Sequence, residues 1–469
     1  MWNFRKSGPD IALIGEDDIG ISYDELQAAC DTLLSYVDGR CLSFNLCLNE
    51  KGSLLGYTAF LSGGIVPVML DATLDRGLLF TLIDNYKPDY LWLPESLIGE
   101  FPDYASVFSI WDYSLLKTPY NKEYPLYDKL ALLLTTSGST GSPKLVRQSY
   151  ANIRANTESI VEYLELDSSE RPITTMPMGY TYGLSILNSH LWVGASVILT
   201  QKTLMQKEFW QQLKDHGATS FGGVPYIYEM LEKLRFFRMD LPALRIMTQA
   251  GGKLSPELHK KFAEYAFVND KKFVVMYGQT EATARMSYLP YKKSLEKYGS
   301  MGIAIPGGEF NLIDVNGRVI TEPETVGELV YRGANVTLGY AECGSDLQKG
   351  DERGGKLVTG DMAKRDIDGY YYIVGRKKRF LKIFGNRVNL DETERMLNTA
   401  FADMDCACGG KDDSMTVFLT DESCKEKIIR FLAEKTGINH TAFKVVIVDT
   451  IPRNEAGKIL YSELNKYDD

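Results

Sequence analysis

The sequence lacks any long apolar run. Its most apolar stretch, residues 56–70, is interrupted by a threonine, a serine, two glycines and a proline. No uninterrupted run reaches the roughly 18 residues that a membrane-spanning helix needs. The first ten residues, MWNFRKSGPD, also lack the apolar core and the small-residue cleavage site of a secretory signal peptide. We therefore expect a cytoplasmic protein without a membrane span.

Histidine is scarce and the cysteines are not paired. There are four histidines, and the seven cysteines stand at positions 30, 41, 47, 343, 406, 408 and 424. An odd, scattered set does not form a disulfide framework. Cys406 and Cys408 have no second pair of zinc-type ligands near them in the sequence. We therefore expect reduced thiols in a reducing compartment and no cysteine metal site.

Positive charge is also in short supply. The net charge is −10, from 52 basic and 62 acidic residues, which argues against nucleic acid or an anionic membrane as the main partner. A small local basic site could still hold a nucleotide. With 44% hydrophobic and 24% charged residues, the composition is typical of a globular protein. The length of 469 residues predicts about two or three domains.

The most informative stretch is the loop 135–144, TTSGSTGSPK. It follows an apolar run, residues 130–134, that predicts a buried strand. The loop supplies two glycines, five hydroxyl side chains and Lys144, and a polyphosphate is the simplest ligand for that combination. Because the glycine spacing differs from the common GxxxxGK[ST] nucleotide loop, a serine- and glycine-rich surface turn remains the alternative.

Strands and helices alternate along the first 280 residues, which predicts doubly wound, mostly parallel sheets. Ser22 and Glu25 form a capping-box pattern at the start of a helix over 21–35. Further helices are predicted at 54–63, 80–84, 151–166 and 207–216, and strands at 41–47, 65–70, 90–93, 173–183 and 195–199. Three later strands, within 219–225, 244–252 and 272–281, run into glycines or polar residues. Because ligands bind beyond the carboxyl ends of such strands, we expect these turns to share one crevice.

The pattern changes near residue 300. Short alternating segments at 310–319, 327–332 and 370–374 predict a smaller, mostly antiparallel, barrel-like part. A basic cluster at 376–379 precedes a segment with its own helices (391–399 and 423–434) and strands (414–419 and 444–448). We predict a large α/β N-terminal domain over 1–377, which includes the barrel-like part, and a mobile α+β C-terminal lid domain over 378–469.

Six stretches in this order resemble the motifs of the adenylate-forming superfamily. This superfamily contains acyl- and aryl-CoA synthetases, luciferases and the adenylation domains of nonribosomal peptide synthetases, and the resemblance covers nearly the whole chain. The stretches are TTSGSTGSPK at 135–144, YGQTE at 277–281, TGD at 359–361, GRKK at 375–378, FGNRVNLDETE at 384–394 and PRNEAGK at 452–458. Each motif alone is weak, and the ordered set is specific.

The resemblance implies activation of a carboxylate by ATP and Mg²⁺. Attack of a carboxylate on a phosphate brings two anions together, so cations and oriented donors must neutralise the charge that develops. The implied catalytic residues are Lys458, Thr140 and Glu281, with Glu281 also the Mg²⁺ ligand. The implied nucleotide-binding residues are Thr136, Ser137, Gly138, Ser139, Thr140, Gly141, Lys144, Tyr277, Gly278, Thr280, Asp361 and Arg376.

Taken singly, these residues have ordinary structural explanations. Glu281 suits the first turn of a helix, Asp361 suits a Gly-Asp turn, and Lys458 could be an exposed lysine. In the resemblance, Tyr277 stacks on adenine and Asp361 accepts hydrogen bonds from the ribose hydroxyls. Lys378 matches the hinge about which the C-terminal domain of the family rotates between adenylation and thiol capture.

The acyl pocket is less determined by sequence. Its candidate walls are Tyr180, Tyr182, Gly222, Gly223, Val224, Ala250, Gly251, Gly252 and Met276. Amino-acid-activating relatives place an aspartate in the turn that reads PMGYTYG at 177–183 here, and this turn has no acid. The departure favours a carboxylic acid without an α-amine. It leaves both an aryl acid and an acyl chain open.

The sequence is thus interpreted as an acid–thiol ligase that forms an acyl-adenylate and passes the acyl group to a thiol. The thiol is coenzyme A or the phosphopantetheine arm of a carrier protein; the latter would make the chain a stand-alone adenylation enzyme with a separate carrier partner. Two other hypotheses are a catalytically silent relative that senses a ligand and an oxygenase of the luciferase type. The retained Lys144, Glu281, Asp361 and Lys458 argue against a silent relative.

Overall fold

The computed structural model describes residues 8–120, 124–135, 144–384, 386–401, 404–453 and 459–467. Within them the chain divides into two compact units. The first unit comprises described residues up to 135, then 144–309 and 331–357, and the second comprises 310–330 and those from 358 onward. The predicted boundary between residues 377 and 378 concerns a movement, and it stays a prediction.

The helices of the described residues fall mostly in the first unit. They are α1 Tyr23–Leu34, α2 Lys51–Gly63, α3 Arg76–Tyr86, α4 Tyr150–Leu164, α5 Thr181–Val193, α6 Lys207–Asp215, α7 Pro225–Lys233, α8 Pro256–Val268, α9 Leu390–Ala400, α10 Lys425–Thr436 and α11 Tyr461–Leu464. None of them is long and apolar enough to cross a membrane.

The strands are short and numerous. In chain order they are β1 Ile11–Ile14, β2 Gly20–Ser22, β3 Leu42–Cys47, β4 Val66–Asp71, β5 Tyr90–Pro94, β6 Ala105–Ile110, β7 Tyr113–Lys117, β8 Leu130–Thr135, β9 Leu145–Ser149, β10 Val197–Ile198, β11 Ser220–Gly223, β12 Ile246–Gln249, β13 Lys272–Tyr277, β14 Ser287–Tyr288, β15 Ile303–Ala304, β16 Gly308–Ile313, β17 Val319–Ile320, β18 Gly327–Gly333, β19 Gly339–Ala341, β20 Lys356–Arg365, β21 Tyr371–Arg376, β22 Phe380–Ile383, β23 Asn386–Asn389, β24 Cys406–Lys411, β25 Ser414–Leu419 and β26 Phe443–Ile447.

The largest sheet lies in the first unit and has a parallel centre. Its order is β19-β9-β8-β4-β3-β5-β7-β6, with β8, β4, β3 and β5 parallel and the flanking pairs antiparallel. Successive side chains of β4 pack into different hydrophobic cores. Met69 belongs to the core on one face of the sheet, and Val68 and Leu70 belong to the core on the other face. Both faces of the sheet are therefore covered, as expected for parallel strands that read as continuous apolar runs. The predicted doubly wound α/β fold is confirmed.

Helix α1 begins where its sequence predicts. The Ser22 hydroxyl accepts a hydrogen bond from the backbone N–H of Glu25, and the Glu25 carboxylate accepts one from the backbone N–H of Ser22. This reciprocal pair satisfies two of the N–H groups that a helix leaves unpaired at its start. The capping box is thus confirmed.

The predicted strand over 173–183 is wrong. Pro172 and Ile173 make only isolated bridges, and residues from Thr181 onward form helix α5 instead. Pro177 has no backbone N–H to donate to a sheet, which disfavours a continuous strand there. The aromatic turn therefore lies at a helix N-terminus.

The second unit contains two further sheets and a hairpin. The predicted barrel-like part is a five-stranded sheet of order β17-β16-β18-β20-β21. Strands β22 and β23 pair as a hairpin, and β24, β25 and β26 form a three-stranded sheet. Apolar residues of α9, α10 and this sheet share one core, among them Leu397, Ile428 and Val417.

The cysteines are all free thiols. Cys406 and Cys408 are buried in the core of the second unit, and burial raises the pKa of the Cys406 thiol to about 12. The described residues contain no group of three or more histidine, cysteine, aspartate or glutamate side chains that could hold a metal. The cysteines are thus unpaired, as the sequence predicts, and the lack of a cysteine metal site stays a prediction.

A half-buried ionic cluster joins the elements of the second unit. Arg379 forms ion pairs with Asp391 and Glu394 at the start of α9, and its guanidinium lies 3.7 Å from the ring centroid of Tyr461. Tyr461 in turn donates a hydrogen bond of 2.9 Å to Glu394. Burial opposes the charge of Arg379, but Glu394, Tyr461 and Asp391 outweigh it and raise the pKa of the guanidinium.

We predict that Arg379→Ala lowers the free energy of unfolding of the second unit by about 3 kcal/mol, because it leaves the buried Glu394 carboxylate without its cation. Urea unfolding, followed by hydrogen exchange of β24 and β25, measures the loss. Arg430→Ala is the matched control, since Arg430 is an exposed arginine of the same unit. Equal unfolding midpoints for the two variants would contradict a stabilising role for the cluster.

Candidate functional site

Several predicted site residues lie outside the described residues. They are Thr136, Ser137, Gly138, Ser139, Thr140 and Gly141 of the predicted phosphate loop, and Lys458. Lys144, at the end of that loop, is described. Its Nζ lies 2.7 Å from Oε1 of Glu342, and both side chains are exposed.

Three predicted strand ends meet at one edge of a sheet. Strands β11, β12 and β13 are parallel and in register, so that Gly223 pairs with Gln249 and Gln249 with Val275. The turns after these strands, which carry Gly251 and Glu281, therefore start side by side. The structure confirms the placement of these turns at a shared edge, the usual ligand-binding edge of an α/β sheet.

Two tyrosines close over the glycines of this edge. An ideal Cβ on Gly222 would lie 2.8 Å from the hydroxyl of Tyr182, and one on Gly251 would lie 2.8 Å from the hydroxyl of Tyr180. Gly251 also has a φ of +84°, which favours glycine. The remaining predicted wall residues, Gly223, Val224, Ala250, Gly252 and Met276, lie in or directly after the same three strands.

Tyr182 is fixed from two sides. Its hydroxyl hydrogen-bonds to the carbonyl and the hydroxyl of Thr248 in β12, at 2.9 and 2.8 Å. The guanidinium of Arg285 lies over the ring of Tyr182, with its central carbon 5.0 Å from the ring centroid. Burial raises the pKa of Tyr180 and of Tyr182 to about 12, so both phenols are neutral near pH 7.

Glu281 lies in a short 3-10 helix, Thr280–Ala282, just after Tyr277 and Gly278 at the end of β13. Its backbone carbonyl accepts hydrogen bonds from the N–H of Thr337, at 3.0 Å, and from Arg353, at 3.0 Å. Its carboxylate accepts one from the hydroxyl of Tyr340 at 2.7 Å. The side chain is thus positioned by a segment more than fifty residues away in sequence.

Tyr340 is itself held against Arg353, whose guanidinium carbon lies 4.6 Å from the ring centroid. Burial, and then the neighbouring Glu281 charge, raise the pKa of Tyr340 to about 12. The phenol therefore keeps its proton and donates a hydrogen bond to the Glu281 carboxylate.

The turn after Glu281 is strained. Thr283 has a φ of +66°, a region that β-branched residues rarely occupy. Its hydroxyl donates to the carbonyl of Asn335 at 2.7 Å, and the Asn335 amide donates to the carbonyls of Ala282 and Arg285. Such strain persists only where surrounding contacts determine the conformation, and it is typical of functional turns.

Asp361 and Arg376 lie in the second unit, on paired positions of β20 and β21. Arg376 Nε lies 2.8 Å from Oδ1 of Asp361, whose side chain is only 4% exposed. The backbone N–H of Arg376 donates to Asp391. Lys378, the predicted hinge, lies in the one-turn 3-10 helix Lys377–Arg379 directly after β21. The roles of these three residues stay predictions.

Comparison with known proteins agrees with this arrangement. Residues 102–341, about half of the chain, match the family described as AMP-binding enzyme. The chain belongs to the AMP-binding enzyme family. It is 30% identical to the peroxisomal OPC-8:0-CoA ligase 1 of Arabidopsis thaliana over 74% of this chain and 65% of that protein. It is also 30% identical to the oxalate–CoA ligase of the same plant, over 71% of this chain and 66% of that protein.

Solved structures show the same fold. The o-succinylbenzoate CoA synthetase of Bacillus subtilis, in complex with its acyl-adenylate intermediate, superposes with a TM-score of 0.77 at 21% identity. The match covers 97% of this chain and 95% of that one. The same enzyme in complex with ATP and a magnesium ion gives a TM-score of 0.75 at 22% identity.

Sequence reasoning missed four residues that contact the predicted site residues. Tyr340 and Arg353 hold Glu281, Glu342 pairs with Lys144, and Arg285 lies against Tyr182. Three of them come from a distant segment, and no local pattern connects them to the motifs. Arg285 stands four residues after Glu281, and its position in the same turn was the available signal.

We predict that Gly251→Ala lowers the free energy of unfolding by about 2–4 kcal/mol, because it adds a collision with Tyr180 to the strain of positive φ. Gly307→Ala is the matched control, since Gly307 has a φ of +79° and an ideal Cβ there meets nothing within 4 Å. Only the strain, about 1 kcal/mol, should remain in the control. Chemical denaturation of both variants compares them, and equal losses would mean that Tyr180 does not close over Gly251.

Proposed function

We propose that this chain is an ATP-dependent acid–thiol ligase. In the first half-reaction, a carboxylate oxygen of the substrate attacks the α-phosphorus of ATP, and pyrophosphate leaves as the acyl-adenylate forms. In the second, the sulfur of a thiol attacks the acyl carbon, and AMP leaves with the electrons of the broken C–O bond. The thiol gives up its proton, and the product is a thioester.

The observation that carries this proposal is the position of Glu281. Its carboxylate lies one residue past the Tyr277–Thr280 turn, at the edge where three parallel strands end. Mg²⁺ commonly takes one or two protein carboxylates and completes its shell with phosphate oxygens and water. A single carboxylate aligned by Tyr340 fits such a nucleotide-bound ion. The ion would neutralise phosphate charge during displacement.

The other proposed nucleotide contacts follow the resemblance of the motifs. Tyr277 is proposed to stack on adenine and Asp361, supported by Arg376, to accept from the ribose hydroxyls. Residues 136–141 and Lys144 are proposed to bind the β- and γ-phosphates. The ion pair of Lys144 with Glu342 is exposed, so it costs little to exchange for a phosphate. Lys458 is proposed to bridge the substrate carboxylate and the α-phosphate.

Coenzyme A is the proposed acceptor, because the curated relatives are named as CoA ligases. Their names cover different acids, including OPC-8:0, oxalate and 2-succinylbenzoate, so they do not select one substrate. Seven free thiols are consistent with a reducing compartment, and we propose the cytoplasm. A carrier-protein thiol is the alternative acceptor.

We predict ATP–pyrophosphate exchange with one class of a panel of fatty, aryl, hydroxy and amino acids. Free amino acids should give no signal, because the turn at 177–183 offers no carboxylate to an ammonium group. Addition of coenzyme A to the active acid should then yield a thioester. Bound ATP without exchange for any acid would contradict the ligase and favour a ligand-sensing relative. A thioester formed only on a phosphopantetheine carrier would replace coenzyme A as the acceptor.

We predict that Glu281→Gln slows exchange by on the order of 100-fold, because it removes the carboxylate proposed to hold Mg²⁺. Tyr340→Phe should raise the Mg²⁺ concentration for half-maximal exchange about 10-fold, since it removes only the hydroxyl that orients Glu281. Glu229→Gln, at an exposed position of α7, is the matched control. Unchanged Mg²⁺ dependence in both site variants would contradict the metal role.

A further inference from the structure

Arg285 is a buried arginine without an acidic partner among the described residues. Its side chain is 2% exposed, and it follows the strained turn at Thr283. Nε donates to the Ser185 hydroxyl at 3.2 Å, and Nη1 contacts the Tyr163 hydroxyl at 3.1 Å and the sulfur of Met276 at 2.8 Å. No carboxylate of the described residues forms an ion pair with it.

Other deeply placed arginines are compensated by acids. Arg147, which is fully buried, pairs with Glu352 and donates to several backbone carbonyls, and Arg379 pairs with two carboxylates. An arginine cannot lose its charge in a protein, and a buried cation without an anion is costly. The field of Arg285 reaches His190, where burial first and this charge second lower the imidazole pKa to about 4. Arg285 differs from these two arginines because no carboxylate of the described residues forms an ion pair with it.

Arg285 keeps one donor atom that the described residues do not use. Nη2 makes no hydrogen bond to the described residues, and it is not among the fully enclosed polar atoms that lack a partner. The guanidinium lies over the ring of Tyr182 and contacts Met276, two residues of the predicted acyl pocket. The charge thus lies directly against the wall that is proposed to surround the acyl group.

We propose that the acid activated by this chain carries a second carboxylate, which pairs with Arg285 at the inner end of the acyl pocket. This inference rests on the ligase function proposed above and names its substrate class. Nη2 donates to the distal carboxylate, while Ser185 and Tyr163 hold the guanidinium in place. An anion supplied by the substrate offsets the cost of the buried cation only in the complex, so that it contributes to selectivity.

The pocket favours a short spacer between the two carboxylates. Tyr180 and Tyr182 lie against Gly251 and Gly222, so that even a methyl group at either glycine would collide with a phenol. Both phenols are neutral rather than anionic near pH 7, because burial raises their pKa values to about 12, and they therefore place no like charge beside the second carboxylate. A short dicarboxylate suits such a site better than a long acyl chain.

The test compares ATP–pyrophosphate exchange with succinate, glutarate and malonate against analogues of the same length whose distal group is neutral. Succinamic acid replaces one carboxylate of succinate by an amide of the same shape and removes only the charge. For the best dicarboxylate we expect kcat/KM to exceed that of its half-amide by on the order of 100-fold. This wild-type comparison needs no variant to fold.

Substitution of Arg285 provides the second part of the experiment. Arg285→Gln should lower exchange with the dicarboxylate to the level of its half-amide, while Arg285→Lys should keep part of the preference because it keeps the charge. Arg154→Gln, on the exposed face of α4, is the control and should retain the wild-type ratio.

The outcomes separate this inference from the function on which it rests. Exchange with monocarboxylates whose distal end is uncharged, at a rate equal to or above that of every dicarboxylate, overturns the role of Arg285 and leaves adenylation intact. The same holds if Arg285→Gln folds and keeps the dicarboxylate preference. Exchange with no acid of either kind contradicts the ligase function itself.

Discussion

The parallel register of β11, β12 and β13 is the constraint on which the candidate site depends. Because Gly223, Gln249 and Val275 are aligned, the three strands end together, and the chain must turn three times at one edge. Small residues allow Tyr180 and Tyr182 to approach that edge closely. The same alignment places Tyr277 and Glu281 after the strands that carry the predicted acyl pocket residues. A shift of one residue in any strand would turn its side chains to the opposite face of the sheet and separate these groups.

Local signals predicted much of the fold. The capping box of Ser22 and Glu25 determined the start of α1, and the apolar run at 130–134 became the buried strand β8. These predictions succeeded because the determining contacts lie within a few residues of one another. The stretch 173–183 failed because a strand needs partners along its length, and its pairing is limited to isolated bridges before α5 begins. A pattern of apolar residues alone could not reveal that limit.

The residues of the candidate site also divide into those that local sequence predicts and those that only the folded chain brings together. Tyr277, Thr280 and Glu281 are contiguous, and their position after a strand was readable from the sequence. Tyr340 and Arg353, which orient the Glu281 carboxylate and carbonyl, come from a segment that only the folded chain brings near. Ion pairs could not be predicted from the sequence either. The partners of the Lys144–Glu342 pair and of the cluster around Arg379 stand at no fixed separation along the chain. Residue types predicted chemistry, and tertiary contacts determined its geometry.

Three arginines of the chain illustrate how a fold can treat an enclosed positive charge. Arg379 receives two carboxylates and an aromatic ring, which together outweigh its burial and make it a structural link. Arg147 is completely buried, and its guanidinium pairs with the Glu352 carboxylate and donates hydrogen bonds to the backbone carbonyls of Tyr340 and Gly350. Arg285 is as deeply placed, yet its contacts are two hydroxyls, a thioether and a ring, none of which carries a full negative charge. Since the fold supplies acids to the other two, the lack of one beside the acyl pocket is most simply explained by a ligand that brings its own.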